Sequence, residues 1–561
     1  SAAIAAIPEE PPVLVAVVLG LGAYRLLRRG VLVRRLSAQE TLGAIDLIIT
    51  DKTGTLTENR LSVAGIETPG GAVDRDAWAP ILRDAILAED DAWTEDADAR
   101  HGSFTRALAA AHGGMPPRGE AVLVDARGPS TTMPVSRVRY RPSPATAERG
   151  LAIGAAEAIL REATMPDATR PAWHALVEAS ADAGRRTVLL AESDGSSGWR
   201  PLALIAFADA LRADVPPAMA LATEAGIQTI VVTGDHLVTA RAIARDAGLA
   251  AGWSTTGAAL AGMADDAVGD RLDELRIVAR AVPEEKLRLV KLARLAGRTV
   301  AVTGDGVNDA PALHGADVAV AMGSGTAVAR EASDLVLGDD SFGTLLGAIR
   351  DGRRIVANVQ KGLVFIVSTH VALLGFILVA TIAGFDQPLL PLQILWLELF
   401  IDLSASIAFE REPEEPGTMQ RPPRERGAPL LPASLLVAIG LAGGTSAVAA
   451  LAILLWMPGD PEHVRWVAYS ALVMAQAVRA VANRALTVPV HRLRLNAVLV
   501  AAAGFAVAFQ LAIPAIPFLA DAFRASPLTA LDLAVVGAIA LGPALVAEIA
   551  RTVRVGRAWV A

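Results

Sequence analysis

The chain has 561 residues, 53% of them hydrophobic, a formal net charge of -8 and no cysteine. Such a length needs several cores, and a mean hydropathy of +0.43 is high for a soluble protein. The missing cysteines exclude disulfides and thiolate metal sites, and an acidic balance without a basic, aromatic-interleaved stripe argues against a nucleic-acid partner.

In chain order, the first segment holds an apolar stretch, Val13 to Leu21, behind Pro8-Glu9-Glu10-Pro11-Pro12. No Met and no basic n-region precede it, so residues 1–37 are expected to be the second half of a membrane helix and its stalk, not a signal peptide. Arg25, Arg28, Arg29, Arg34 and Arg35 mark a cytoplasmic exit. The apolar run Ile45 to Thr50 predicts a buried parallel strand ending at Asp51. Residues 62–201 are richer in Gly, Pro and Asp and weakly periodic, which predicts a second, smaller domain on two linkers. Ala203–Phe207, Ile227–Val232 and Thr299–Val302 predict further strands, so that 38–61 and 202–352 make one parallel α/β domain. The last two of these strands each lead into Thr-Gly-Asp.

From 353 onward the character changes. Apolar segments cover about 363–385, 389–409, 429–457, 464–483, 495–520 and 530–550. Each is near or above the roughly 20 residues that span a bilayer. Arginines gather in the loops 410–427, 484–494 and 551–561, which predicts six helices with both ends, and the α/β domains, in the cytoplasm.

Asp51-Lys52-Thr53-Gly54-Thr55-Leu56-Thr57 is the sharpest chemical signal. In a doubly wound domain, ligands sit at the carboxyl ends of the strands, and a carboxylate there can attack a phosphoryl group. Phosphatases with an aspartate nucleophile place a second Asp two residues on, to protonate the leaving group. Thr53 cannot do that work, so a phosphoenzyme formed here is expected to persist. In Thr303-Gly304-Asp305-Gly306-Val307-Asn308-Asp309, glycines allow a tight turn and Asp305 offers hard oxygens to Mg2+. Only four lysines stand against 47 arginines, yet Lys52 and Lys286 both fall in phosphate-site motifs.

The heptapeptide at 51–57 is the signature of the P-type ATPases, and further motifs follow in that family's order. The chain resembles these ion pumps over nearly its whole length. The resemblance implies a multidomain membrane protein: an α/β, HAD-like, doubly wound phosphorylation domain, an inserted α+β nucleotide-binding domain at 62–201, and an α-helical transmembrane bundle at 353–561. It implies that ATP phosphorylates Asp51 and that Mg2+ is shared by Asp51, Asp305 and the Thr53 carbonyl. Lys52, Thr233, Gly234, Asp235, Lys286 and Asn308 complete the phosphoryl site. Asp209 and Arg212 stand where the family has Asp-Pro-Pro-Arg, without the two prolines. With Arg137, Arg186 and Arg280 they are the expected nucleotide contacts. Val135 and Ile153 replace the Phe and the Lys usual in that domain, so weak ATP binding is expected. The resemblance also implies that the family's actuator domain and first membrane helices are expected from a full-length protein of which this sequence is a fragment.

For the ion path, the resemblance is to the calcium-pump-like branch; the absence of Cys disfavours the soft-metal branch. Glu9 lies among prolines that free backbone carbonyls, and Glu398 and Asp402 are four residues apart on one expected helix face. His370 falls where that branch has Asn, and Leu373 replaces a nearby Glu. His370 is open to three readings: a proton-handling group, a cationic plug or a packing residue. The transported ion is Ca2+ by family default, with H+ or Mn2+ as competitors. A bacterial plasma-membrane location is expected. The rival readings are a non-pumping regulatory homologue and, disfavoured by Thr53 and the apolar segments, a soluble phosphatase.

Overall fold

The computed structural model describes residues 10–94, 101–130, 133–182, 185–194 and 198–558. Its centre is an eight-stranded sheet in the order Val31–Val33, Leu335–Leu337, Val318–Met322, Val300–Gly304, Leu47–Asp51, Gln228–Thr233, Leu275–Ala279, Trp253–Thr256. Only the first pair is antiparallel. The strands are continuous apolar runs because both faces are covered. Ile48, Val231, Ala301 and Val320 point into one core with the Val215–Glu224 helix. Their neighbours Leu47, Ile49, Val232 and Val302 point into the other, with the Pro283–Leu295 helix. Period-two alternation thus serves two apolar layers at once.

A second, seven-stranded antiparallel sheet runs Gly71–Ala72, Thr57–Thr68, Arg200–Leu211, Arg186–Ser193, Arg149–Gly154, Val135–Arg141, Val122–Arg127. Helices Trp78–Leu87 and Ser103–His112 cover one face, and Ala156–Glu162 and Arg170–Asp182 the other. This corrects one expectation. Ala203–Phe207 is a strand, but it belongs to this antiparallel sheet and not to the parallel one. An apolar run buried on two faces reads alike in either sheet. Its strand and Thr57–Thr68 also run through the expected boundaries at 61/62 and 201/202.

The Phe342–Ile382 helix joins the α/β core to the membrane. Its 41 residues span ~60 Å. Phe342, Leu345 and Ile349 anchor it in the parallel-sheet core, while Phe376, Ile377 and Ala380 lie in the core of the membrane bundle. Ser341 caps it through Thr344 N–H and donates its own hydroxyl to Asp214.

Among the described residues five helices are long and apolar enough to cross a membrane: Glu10–Arg28, Phe342–Ile382, Ala433–Trp456, Ala497–Ala515 and Ala530–Ile549. Four of these five overlap expected spans, and the other two expected segments are not long, uniformly apolar helices. The segment 389–409 is broken into Pro391–Leu395, a π-helical turn Trp396–Asp402 and Leu403–Glu410. The Pro461–Ala482 helix is 22 residues long but carries Glu462, His463, Arg465, Gln476 and Arg479, too polar for a span judged by composition.

Candidate active site and ion path

Asp51 ends the central strand, between Gln228–Thr233 and Val300–Gly304. The three strand ends bring three loops together, which is why motifs over 250 residues apart converge. The Lys52 amide donates to Asp51 Oδ1 at 2.6 Å. Behind the strand ends, Thr303 Oγ1 meets Thr50 Oγ1 at 2.8 Å and ties the two strands together.

Both phosphate-motif lysines are buried and paired. Lys52 Nζ lies 2.7 Å from Asp235 Oδ2 and 3.8 Å from Asp209 Oδ2. Lys286 Nζ donates to Asp309 Oδ1 at 2.6 Å and to the Thr303 carbonyl at 3.1 Å. Asp309 Oδ2 accepts the amides of Asp305 and Gly306 at 3.1 and 3.0 Å. Asp309 thus positions both Lys286 and the Asp305 loop. Sequence reasoning quoted it within a motif and gave it no role; its place four residues after Asp305, across a tight turn, was the available signal.

Asp51, Asp305 and Asp309 each place an oxygen within 4.8 Å of the others. Burial, then the Asp51 and Asp309 charges, push the Asp305 carboxyl up to about 6. Burial also raises Asp51, with Lys286 pulling it down and Asp309 pushing it further up. Carboxylates held this close want a cation, and an all-oxygen donor set fits Mg2+. Both Asp309 oxygens are already engaged, so Asp51 and Asp305 are the carboxylates suited to hold it. Gly54, at φ +73°, makes room: a Cβ there would sit 2.1 Å from Asp305 Oδ2. The turn Met322–Thr326 supports the same loop, with Gly325 against the Asp305 backbone and Thr326 N–H donating to the Asp305 carbonyl at 2.8 Å.

The remaining expected residues divide. Thr233 is buried at the end of its strand, its hydroxyl accepting from Asp235 N–H at 3.1 Å, while Gly234 and Asn308 are exposed at the mouth. Thr53 lies half-buried beside Asp51. Asp209 and Arg212, the expected nucleotide contacts, brace the phosphorylation loop in this structure. Asp209 accepts from the Thr57 hydroxyl and from Arg60 N–H, and Arg212 donates to the Gly54 and Thr57 carbonyls, both at 3.2 Å. Arg280 has an exposed side chain and a left-handed backbone, φ 49°, whose N–H donates to the Asp235 carbonyl at 3.0 Å.

Arg137 and Arg186 are not brought together. Arg137 stands opposite Ala152, whose side faces the Ala156–Glu162 helix. Arg186 stands opposite Phe207, whose side faces the other helical layer. Paired residues share a face, so the two arginines lie on opposite faces of the sheet. Arg137 is moreover bound to Glu162 at 2.8 Å and stacked over Trp199.

In the membrane half, Glu9 lies outside the described residues, as does the side chain of Asp402. Glu398 sits in the π-helical turn, not on the regular helix expected. His370 is buried, its Nδ1 3.0 Å from the Ile366 carbonyl and its Nε2 3.7 Å from Glu10 Oε2. The facing carboxylate among the described residues is thus Glu10.

Such a parallel sheet with an aspartate at its central strand end, continuous with a membrane bundle, defines a membrane-anchored member of the haloacid dehalogenase-like class. A family profile described as haloacid dehalogenase-like hydrolase matches residues 45–317, and one described as "Cation transporting ATPase, C-terminus" matches 386–553. The "Probable cation-transporting ATPase F" of Mycobacterium tuberculosis is 36% identical over 488 residues, 76% of this chain and 54% of the relative. The "Calcium-transporting ATPase 1" of Yarrowia lipolytica is 30% identical over 595 residues, 95% of this chain and 64% of the relative. The "Calcium-transporting ATPase 1" of Bacillus cereus is 29% identical over 610 residues, 98% and 68%. The chain belongs to the P-type cation-transporting ATPases and is an integral membrane protein. It spans about half to two thirds of the length of these relatives.

Proposed function

We propose that this chain carries the phosphorylation and ion-path portion of an ATP-driven cation pump that works through an acyl phosphate on Asp51. The observation that supports it best is a buried carboxylate at the central strand end, beside two paired lysines, with Thr53 two residues on. An Asp51 oxygen attacks the γ-phosphorus of ATP; the new Oδ–P bond forms as the bond to the β–γ bridging oxygen breaks, and ADP leaves with that electron pair. Lys52 N–H holds Oδ1 and leaves Oδ2 to attack. Lys286, steered by Asp309, offsets charge on the transferred group. The Thr233 hydroxyl and the Gly234 N–H grip its oxygens, Asp235 holds Lys52 beside them, and Asn308 stands at the mouth. Mg2+, held by Asp51, Asp305 and the Thr53 carbonyl, would screen carboxylate from phosphate. No acid stands at 53 to speed hydrolysis, so the intermediate lasts long enough for the Phe342–Ile382 helix to pass a movement of the α/β domain to the ion path.

The transported species is a cation bound among Glu398, Asp402, Glu9 and the His370 region, with Ca2+ suggested by the names of two relatives. ATP binds weakly on the second sheet, where Arg186 remains the stronger candidate contact because Arg137 is already paired. The same pairing favours a second reading, a homologue that keeps the fold without pumping.

One measurement separates them. Membranes containing the full chain are incubated with γ-labelled ATP and Mg2+, with and without Asp51→Asn, and quenched in acid. The pump reading expects a hydroxylamine-sensitive label that Asp51→Asn abolishes. An unlabelled wild-type chain overturns it.

A further inference from the structure

A cavity of about 480 Å3 lies where the α/β core meets the membrane bundle, and Leu221, Glu224, Arg350, Glu414, Arg492 and Arg494 are among the residues lining it. Small-molecule sites commonly enclose roughly 300–1,000 Å3. Its walls come from distant parts of the chain. Leu221 and Glu224 belong to the last turn of the Val215–Glu224 helix, which packs against the parallel sheet. Arg350 lies in the first three turns of Phe342–Ile382. Arg492 and Arg494 stand in the turn that joins the Pro461–Ala482 and Ala497–Ala512 helices.

Other cations around this junction are answered within the fold. Arg353, one helical turn beyond Arg350, donates to the Thr418 carbonyl at 3.1 Å and to the Arg421 and Ala225 carbonyls at 2.9 Å. Lys361 stands 3.1 Å from Glu415, and Arg484 3.0 Å from Glu412. The side chains of Arg350, Arg492 and Arg494 have no ion-pair or hydrogen-bond partner among the described residues. The acidic lining does not supply one. Glu415 is taken by Lys361 and by the Leu486 and Thr487 amides at 2.9 and 3.1 Å, and Glu224 accepts from Gln420 at 2.9 Å. Among the described residues only Glu414 of the lining carboxylates is uncommitted.

Arginines that merely fix topology can scatter over a loop. Three that share one concave space raise its potential together and concentrate anions there. A planar guanidinium fork matches phosphate oxygens two at a time, and several forks around one space suit a group with more than one negative charge.

We propose that this cavity binds a phosphate-bearing anion, a free phosphate or the headgroup of an anionic lipid, through Arg350, Arg492 and Arg494. The occupant ties the Val215–Glu224 and Phe342–Ile382 helices to the turn at the membrane, and so restrains the α/β core against the bundle. The binding does not rest on the pump reading; a regulatory use of that restraint does.

The test places the full chain in phosphatidylcholine nanodiscs with EDTA, so that Asp51 and Asp305 hold no metal. One arm adds millimolar inorganic phosphate; the other replaces part of the lipid with phosphatidylglycerol. Hydrogen exchange is read over 215–225 and 486–494. Both segments should slow about threefold or more, and each arm that slows them identifies a source, free phosphate or headgroup. Arg350→Gln and Arg494→Gln should each remove most of the slowing. Arg411→Gln, at an exposed arginine outside the cavity, should leave it intact. No slowing in either arm overturns the proposal, as does an equal loss with Arg411→Gln, which would mean bulk surface charge. Should Arg350→Gln fail to insert, Arg494→Gln at an exposed position still decides. Slowing in a preparation that takes no label from ATP once Mg2+ is restored refutes the pump reading and keeps the anion site. The reverse result refutes the anion site alone.

Discussion

The two sheets treat their charged residues in opposite ways. In the parallel sheet, strands run in one direction and end at one edge, so Asp51, Asp235 and Asp305 meet although their motifs are far apart in sequence. In the antiparallel sheet, strand ends alternate and the pleat sends neighbours to opposite faces, so Arg137 and Arg186 part company. Motif residues in the first kind of sheet can be assigned together; in the second kind, each needs its face established first.

The largest effect should come from the parallel sheet. Lys286→Arg keeps the charge but puts a planar fork where a compact ammonium is held by Asp309 Oδ1 and the Thr303 carbonyl. Phosphoenzyme formation should fall about 100-fold, a loss of ~2.7 kcal/mol in transition-state stabilisation. Wild-type labelling rates in this variant would show that the convergence of strand ends is not catalytic. Gly54→Ala comes next: a Cβ on a left-handed backbone against Asp305 should cut Mg2+-dependent labelling about tenfold, and raised Mg2+ should only partly restore it.

A smaller effect belongs to the antiparallel sheet. Burial, then Asp91 and Asp90, raise the Glu89 carboxyl from 4.5 to about 8. Between those values the folded form binds more protons than the unfolded, so stability falls as pH rises through that window. Glu89→Gln removes the penalty and should stabilise the domain by on the order of 1–2 kcal/mol at pH 8. Hydrogen exchange across 78–94 should slow at pH 8 and be unchanged at pH 4. Equal slowing at both would show that Glu89 is not held protonated.

Much of the parallel sheet was legible because its signals are local: an apolar run, then Asp51 or Thr-Gly-Asp. What failed was whatever depends on a partner. Ala203–Phe207 is apolar whichever sheet it joins, and its antiparallel pairing is set by strands far along the chain. Lys286 and Asp309 are each visible, but their bond exists only after the Pro283–Leu295 helix docks on the sheet. The π-helical turn at Trp396–Asp402 leaves no trace in a periodicity count, and the buried polar residues of Pro461–Ala482 hide behind an apolar average.

The smallest expected effect tests the comparison most directly. Arg137 is held by Glu162 and lies over the Trp199 ring, so its charge is already answered within the domain. Arg186 is exposed on the opposite face, nearer the strand Arg200–Leu211 that leads back to the phosphorylation site. If a nucleotide approaches from that side, Arg186→Ala should weaken ATP binding several-fold, through loss of one charge-assisted contact of about 1–2 kcal/mol. Arg137→Ala should change affinity less than twofold, because a paired arginine gives up its existing partner to gain another. Titrating ATP onto the two variants reads both outcomes. A larger loss at Arg137 would mean the nucleotide breaks the Glu162 pair and binds the face packed by the Ala156–Glu162 helix, and the assignment by strand alternation would fall.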